Sequence, residues 1–285
     1  MVICTMSDKK APIPATQRRW ITLAARIGLV AIGIVYSLIG ILTLSAAFDL
    51  GRSGTKGNVS QVLDWLQAQP LGQVLLGLIT VGMLCYSLWR VIQAIYDTDN
   101  KGNSIQGLAI RASFLSYGLV YGSFTFYAAQ LLLGTSKGVE NTRQTVAYEL
   151  LTRPFGQWML GIVALFTLGT GIYQIYLSLS GDYRRIVQES PLDTPVQEML
   201  IKTGKIGYIA RGLVWLVLGY FLIEAAIQVD ASEAGDSDAA LDFMEREYGS
   251  LPLALVSLGL VCYGVFMFVR ARFQPIINSN RKSGT

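Results

Sequence analysis

The stretch WITLAARIGLVAIGIVYSLIGILTLSAAF, residues 20–48, stays apolar for more than twenty-five residues and carries a single charge, Arg26. A helix crossing a hydrocarbon core of about 30 Å needs roughly 20 apolar residues at ~1.5 Å each. The stretch is therefore long enough to span a bilayer, and too long for the apolar region of a cleavable signal peptide. The preceding residues 1–19 are polar and carry Lys9, Lys10, Arg18 and Arg19, and Met6, followed by Ser-Asp-Lys-Lys, is a second candidate start.

Composition extends the same reading to the whole chain. Of its 285 residues 52% are hydrophobic and 15% charged, with a mean hydropathy of +0.44. Soluble domains are nearer a quarter charged, so the surface of this chain matches lipid better than water. Further apolar segments predict spans near 71–95, 108–133, 157–179, 207–228 and 251–270, making six. In hydrocarbon each backbone N–H and C=O needs an internal partner, so the spans read as helices.

Orientation follows from the basic residues. With the N-terminus inside, Lys9, Lys10, Arg18, Arg19, Arg26, Arg90, Lys101, Arg111, Arg184, Arg185, Lys202, Lys205, Arg211, Arg270, Arg272, Arg281 and Lys282 fall on the cytoplasmic side, 17 of 23. Arg52, Lys56, Lys137, Arg143, Arg153 and Arg246 fall outside, where the loop 229–250 is acidic. The expected setting is the bacterial cytoplasmic (inner) membrane, with both termini in the cytoplasm.

The chain also matches itself three times. Gly28, Gly33, Tyr36 and Gly40 shifted by 85 become Ser113, Gly118, Tyr121 and Thr125; shifted by 179 they become Gly207, Gly212, Trp215 and Gly219. Pro70-Leu71-Gly72 reappears as Pro154-Phe155-Gly156, and Cys85-Tyr86 shifted by 177 is Cys262-Tyr263. The boundaries that follow are a cytoplasmic tail 1–19, two-span units 20–100, 101–185 and 186–272, and a tail 273–285. Two spans per unit give all units one orientation, unlike the inverted repeats of many transporters. The expected fold is all-α, a polytopic membrane protein with six transmembrane helices in three tandem two-helix repeats, pseudo-threefold about the membrane normal. Each outer loop is expected to end in a short amphipathic helix: Val59, Val62, Leu63 and Leu66 have helical spacing, and Asn58 with Gln61, and Asn141 with Gln144, fit N-caps. Trp65 and Tyr148 suit the interface there.

The pattern Ala25-Arg26-x-Gly28, Gly33-x-x-Tyr36 and Pro70-x-Gly72 resembles the bacterial domain-of-unknown-function 1206 family. The resemblance covers roughly residues 20–272 and implies three tandem two-span units. Unit two departs with Ser113 and Thr125 in place of glycine, and unit three with Trp215 and no proline. The family brings no activity to carry over.

Candidate functional residues are few. Arg26, Arg111 and Lys205 occupy one repeat position near the cytoplasmic end of each first span, where they either converge on an anion or lipid headgroup or snorkel to the interface. Arg211 is a cation that only unit three carries, aligned with Ile32 and Tyr117. It is a candidate anion contact, with pairing or snorkelling as the plainer reading. Glu224 is a candidate intramembrane carboxylate near the outer end of the fifth span. Gly28, Gly33, Gly118, Gly207 and Gly212 are expected to pack helices closely, with Tyr36, Tyr121 and Trp215 between them. Cys85 and Cys262 are expected to be small buried packing residues.

Catalytic residues, metal ligands and cofactors are not expected. The chain has no histidine and no Gly-x-Ser-x-Gly elbow. Gly51–Lys56 has the wrong spacing for a phosphate loop, and Gly169-Thr-Gly171 lacks a third glycine. The function expected is a non-enzymatic membrane module organising lipids or partner proteins; the alternative is a channel or transporter for a small ion or solute along the repeat axis. Its partners would be membrane lipids, other membrane proteins or a second copy, and not nucleic acid, since the basic residues follow the inner boundary.

Overall fold

The computed structural model describes residues 15–48, 58–99, 101–135, 149, 151–152, 155–181, 183–229 and 237–274. Among them every regular element is a helix: α1 (Ala15–Ala47), α2 (Val59–Gln67), α3 (Gly72–Tyr96), α4 (Ile105–Leu132), α5 (Gly156–Ser180), α6 (Arg184–Gln188), α7 (Thr194–Gln228), α8 (Ser237–Tyr248) and α9 (Ser250–Phe273). Five helices, α1, α3, α5, α7 and α9, are long and apolar enough to cross a membrane. The sixth long helix, α4, has 28 residues, but its tyrosines, serines and glutamines lower its apolarity. All six lie on the expected stretches. Helix α7 begins thirteen residues before position 207, because nothing between Thr194 and Gly207 breaks a helix; Pro195 sits in the first turn, where its missing N–H leaves no bond unmade.

Entry into α3 and α5 explains the repeated Pro-x-Gly. Leu71 and Phe155 both take the left-handed conformation, at φ 63° and 64°, and the next residue must be glycine because a Cβ on Gly72 would run into the Gln67 carbonyl. Unit three turns differently: Gly249 itself takes φ 83°, so the proline is dispensable. The amphipathic helix α2 starts as expected, with the Asn58 Oδ1 accepting from the Gln61 N–H at 2.8 Å. It buries Val59, Val62, Leu63 and Leu66. Helix α8 holds the corresponding place in unit three, while Asn141, Gln144 and Tyr148 lie outside the described residues.

The long helices pack in the order α4–α3–α1–α9–α7–α5. Repeat-equivalent glycines make equivalent contacts at each junction between units. A Cβ on Gly33, Gly118 or Gly212 would lie 3.0, 3.2 or 3.1 Å from the carbonyl oxygen of Gly264, Ser87 or Gly171 respectively. Those three partners are themselves related by the repeat. Within units one and three the match is as close: a Cβ on Gly28 or Gly207 would lie 2.6 Å from the backbone nitrogen of Tyr86 or Tyr263. Such approach leaves no room for a side chain and lets backbones pack without a hydrophobic drive between helices. Unit two is the exception. Its helices α4 and α5 do not pack along their length, and meet where the Gln174 Nε2 donates to the Tyr117 hydroxyl at 3.4 Å.

Candidate functional site

Side chains pointing inward from α1, α4, α7 and α9, with Val59 of α2 and Leu241 of α8, enclose a small cavity of about 50 Å³. A single water needs roughly 10–15 Å³ of this kind of space, so the cavity holds a few waters or one small ion. Tyr36, Tyr121 and Trp215, one from each unit, line it together. The first two share a hydrogen bond of 2.9 Å although they are 85 residues apart. The repeated aromatic position thus faces the interior, where its three copies converge.

Arg211 also lines the cavity. It is 4% exposed, so it does not snorkel to the interface. Its Nη1 donates to the Tyr263 hydroxyl, and its guanidinium lies over the rings of Tyr263, Tyr36 and Tyr117 at 4.7, 5.1 and 5.1 Å. Nε and Nη2 are buried with no hydrogen-bond partner among the described residues. The Gln174 Oε1 and the Trp89 Nε1 are likewise buried and unpartnered there.

Two further arginines, near the C-terminal ends of α3 and α9, are buried rather than exposed. Arg90 is buried, with Nε and Nη2 donating to the Tyr86 hydroxyl at 2.9 and 2.7 Å and Nη1 to the Gln93 Oε1 at 3.0 Å. Its guanidinium also lies over the Trp89 and Tyr117 rings at 4.8 and 5.5 Å. Tyr117 is therefore flanked by Arg90 and Arg211, whose Cζ atoms are no farther apart than the sum of their two distances to its ring. Arg270 is buried too, donating from Nε to the Gln274 Oε1 at 2.8 Å and from Nη1 to the Tyr208 hydroxyl at 3.4 Å. Sequence reasoning passed over Arg90 and Arg270 because a basic residue in the last turns of a second span already suits the inner boundary. The signal was present in the spacing: Tyr86 and Arg90 are four apart, and Tyr263, Met267 and Arg270 share one helix face.

The three buried guanidiniums face tyrosine hydroxyls, amides and ring faces, and among the described residues no carboxylate lines the cavity beside Arg211. Ring contacts contribute on the order of 0.5–2 kcal/mol each. An uncompensated buried ion costs several kcal/mol, and each unmade buried N–H bond about 1–3 more. The aromatic faces offset part of the charge burial; the free Nε–H and Nη2–H groups of Arg211 stay uncompensated. Arg211 is thus a buried cation with donors left over, beside a small cavity that is otherwise lined mostly by apolar side chains.

The other candidates lie elsewhere. Arg26, Arg111 and Lys205 share no contact among the described residues. Arg26 is exposed, whereas Arg111 donates to the Ala94 and Ile95 carbonyls at 2.8 and 3.1 Å and to the Asn103 Oδ1 at 3.0 Å, closing the end of α3. Lys205 is half-buried, and its own carbonyl accepts from the Ser178 hydroxyl at 3.0 Å. Glu224 is half-buried one turn from the end of α7, accepting from the Gln228 amide at 3.2 Å, outside the cavity. Cys85 and Cys262 are half-buried rather than buried.

Compared with known families, the chain matches the model described as Domain of Unknown Function (DUF1206) over residues 27–97, 112–181 and 206–274. The chain belongs to this family. The three matched segments correspond to the three repeats seen in the sequence. A relative in Bacillus subtilis (strain 168), named Uncharacterized protein YxxB, is 30% identical over 256 residues, which is 90% of this chain and 92% of the relative. No solved structure matches the chain.

Proposed function

We propose that this DUF1206 protein is a non-enzymatic membrane protein whose interior binds a small anion and passes it along the repeat axis. The reading takes α4 as a sixth span and closes three two-helix repeats into a pseudo-threefold ring about the membrane normal. Both termini lie in the cytoplasm and the bacterial inner membrane is the host. Support for the ring comes from the equivalent glycine contacts at all three unit junctions, including unit three against unit one. The basic-residue bias supports the orientation. With Arg90, Arg211 and Arg270 set aside as interior, fourteen of the remaining twenty cations still fall on the cytoplasmic side.

One observation carries the anion reading: a guanidinium 4% exposed, at the wall of an interior cavity, with two nitrogens unpartnered among the described residues. Ionisable groups inside membrane spans are rare and face a protein interior or a water-filled cavity, where they mark ion or substrate paths. The site is cationic and small, so it favours halide-sized or small planar oxyanions and rejects cations. Lipid or partner organisation, the other reading of the sequence, draws support from a separate groove considered below.

The test is anion efflux from liposomes that contain the purified protein. Wild type should release chloride or nitrate at least tenfold faster than empty liposomes, and R211M should fall to near the empty-liposome rate. Potassium, with a freely permeant anion present, should not move. Equal efflux from wild type and R211M, or none above background for every small anion tried, overturns the proposal.

A further inference from the structure

A second candidate site lies on the outside of the bundle, in the groove between α1, α3 and α9. Ile27, Val30, Ile34, Leu78 and Phe268 line it, and the space it offers is about 460 Å³. Its floor is formed where Gly82 meets Ala31, so closely that a Cβ on Gly82 would collide with the alanine methyl. At one end stand Arg26 and Arg272. Both are exposed, and neither has a hydrogen-bond or ion-pair partner among the described residues. Among the described residues no acidic side chain lines the groove.

Comparison within the repeat gives this pair its meaning. Arg111 stands where Arg26 stands, one unit on, and its guanidinium closes α3 through the Ala94 and Ile95 carbonyls and Asn103. In unit one the equivalent helix end is Ala271-Arg272 of α9. There Arg26 makes no such bond, and a second guanidinium has been placed beside it in the position that Ile95 holds on α3. Two like charges at the mouth of an apolar groove repel each other, and an anion seated between them offsets that repulsion.

We infer that the groove holds an anionic glycerophospholipid, its phosphate between Arg26 and Arg272 and one acyl chain along α1 toward Ile34. Arginine suits the headgroup because its planar fork meets phosphate oxygens in pairs, and two adjacent forks demand a full negative charge that a zwitterionic headgroup lacks. From Arg26 to Ile34 the helix rises ~12 Å, so the groove takes the part of a chain nearest its headgroup. The inference is independent of the interior site, since none of the residues named here lines that cavity.

Native mass spectrometry of the purified full chain, exchanged into micelles with equal phosphatidylglycerol and phosphatidylcholine, tests it. Wild type should retain phosphatidylglycerol about tenfold over phosphatidylcholine. R26Q/R272Q, whose altered side chains are exposed and leave the packing intact, should retain both equally. V30W, which fills the groove, should lose the bound lipid of either kind. Equal retention by wild type, an unchanged preference in the double variant, or undiminished lipid on V30W each overturns the lipid site.

Discussion

Arg211 makes the sign of a single substitution informative. A structural strut and a ligand-binding cation predict opposite outcomes. The strut reading rests on the bond to Tyr263 and the three aromatic faces; its loss should destabilise the protein by several kcal/mol. The ligand reading holds that the cation is under-compensated, and replacing an under-compensated buried charge by an apolar group of similar volume is neutral or stabilising, by up to about 1–4 kcal/mol. We expect R211M to melt at or above the wild-type temperature in an anion-poor buffer. Chloride or nitrate should raise the melting temperature of wild type and leave that of R211M unmoved. A destabilised variant and a wild type indifferent to anions would make Arg211 a strut. Arg211 was legible in the sequence because a charge interrupts an apolar run with no counterpart in the other units. The convergence of Tyr36, Tyr121 and Trp215 was legible only as a shared repeat position. Whether such a position faces inward or toward lipid depends on helix rotation, which the apolar periodicity of a membrane span barely encodes because both faces are apolar.

Among the elements, glycines divide into those that set helix spacing and those that do not. Gly28 and Gly207 face backbone at 2.6 Å, whereas Gly77 and Gly161 have nothing within 4 Å of an added Cβ. Overpacking a tight contact costs typically 1–3 kcal/mol, while a substitution touching nothing stays within about 0.5 kcal/mol. G28A and G207A are expected to lower thermal stability in detergent by several degrees, each by a similar amount because the contacts are copies of one another. G77A and G161A should melt with wild type. If all four behave alike, the close packing of first and second spans is not what holds the units together. The six long helices and the α2 cap were readable beforehand from run length and from Asn58 with Gln61, because desolvation and capping are local demands. The open seam between α4 and α5 was not, since Gly156, Gly161, Gly169 and Gly171 in α5 read like packing glycines, yet a Cβ on Gly161 or Gly169 would meet nothing.

For the whole molecule, the direction in which it faces bears on both proposed sites. The first spans run outward if the N-terminus is cytoplasmic. The Arg26–Arg272 mouth then lies at the inner leaflet, where anionic lipid is drawn to basic clusters, and the α2–α8 side of the cavity faces out. The basic residues favour this orientation fourteen to six without the buried three, and loops short enough to obey the bias connect the helices. Asn103, before α4, and Thr135, just after it, are both exposed and lie at opposite ends of one 28-residue helix. In a variant with Cys4, Cys85 and Cys262 changed to serine, we expect T135C to react with a membrane-impermeant maleimide in intact cells and N103C to react only after permeabilisation. Labelling of both in intact cells would mean that α4, the least apolar of the six, does not cross. That would leave Arg111 and Tyr117 on one side of the bilayer and remove the proposed ring. Labelling of N103C alone would invert the molecule, keep the ring, and move the Arg26–Arg272 groove to the outer leaflet.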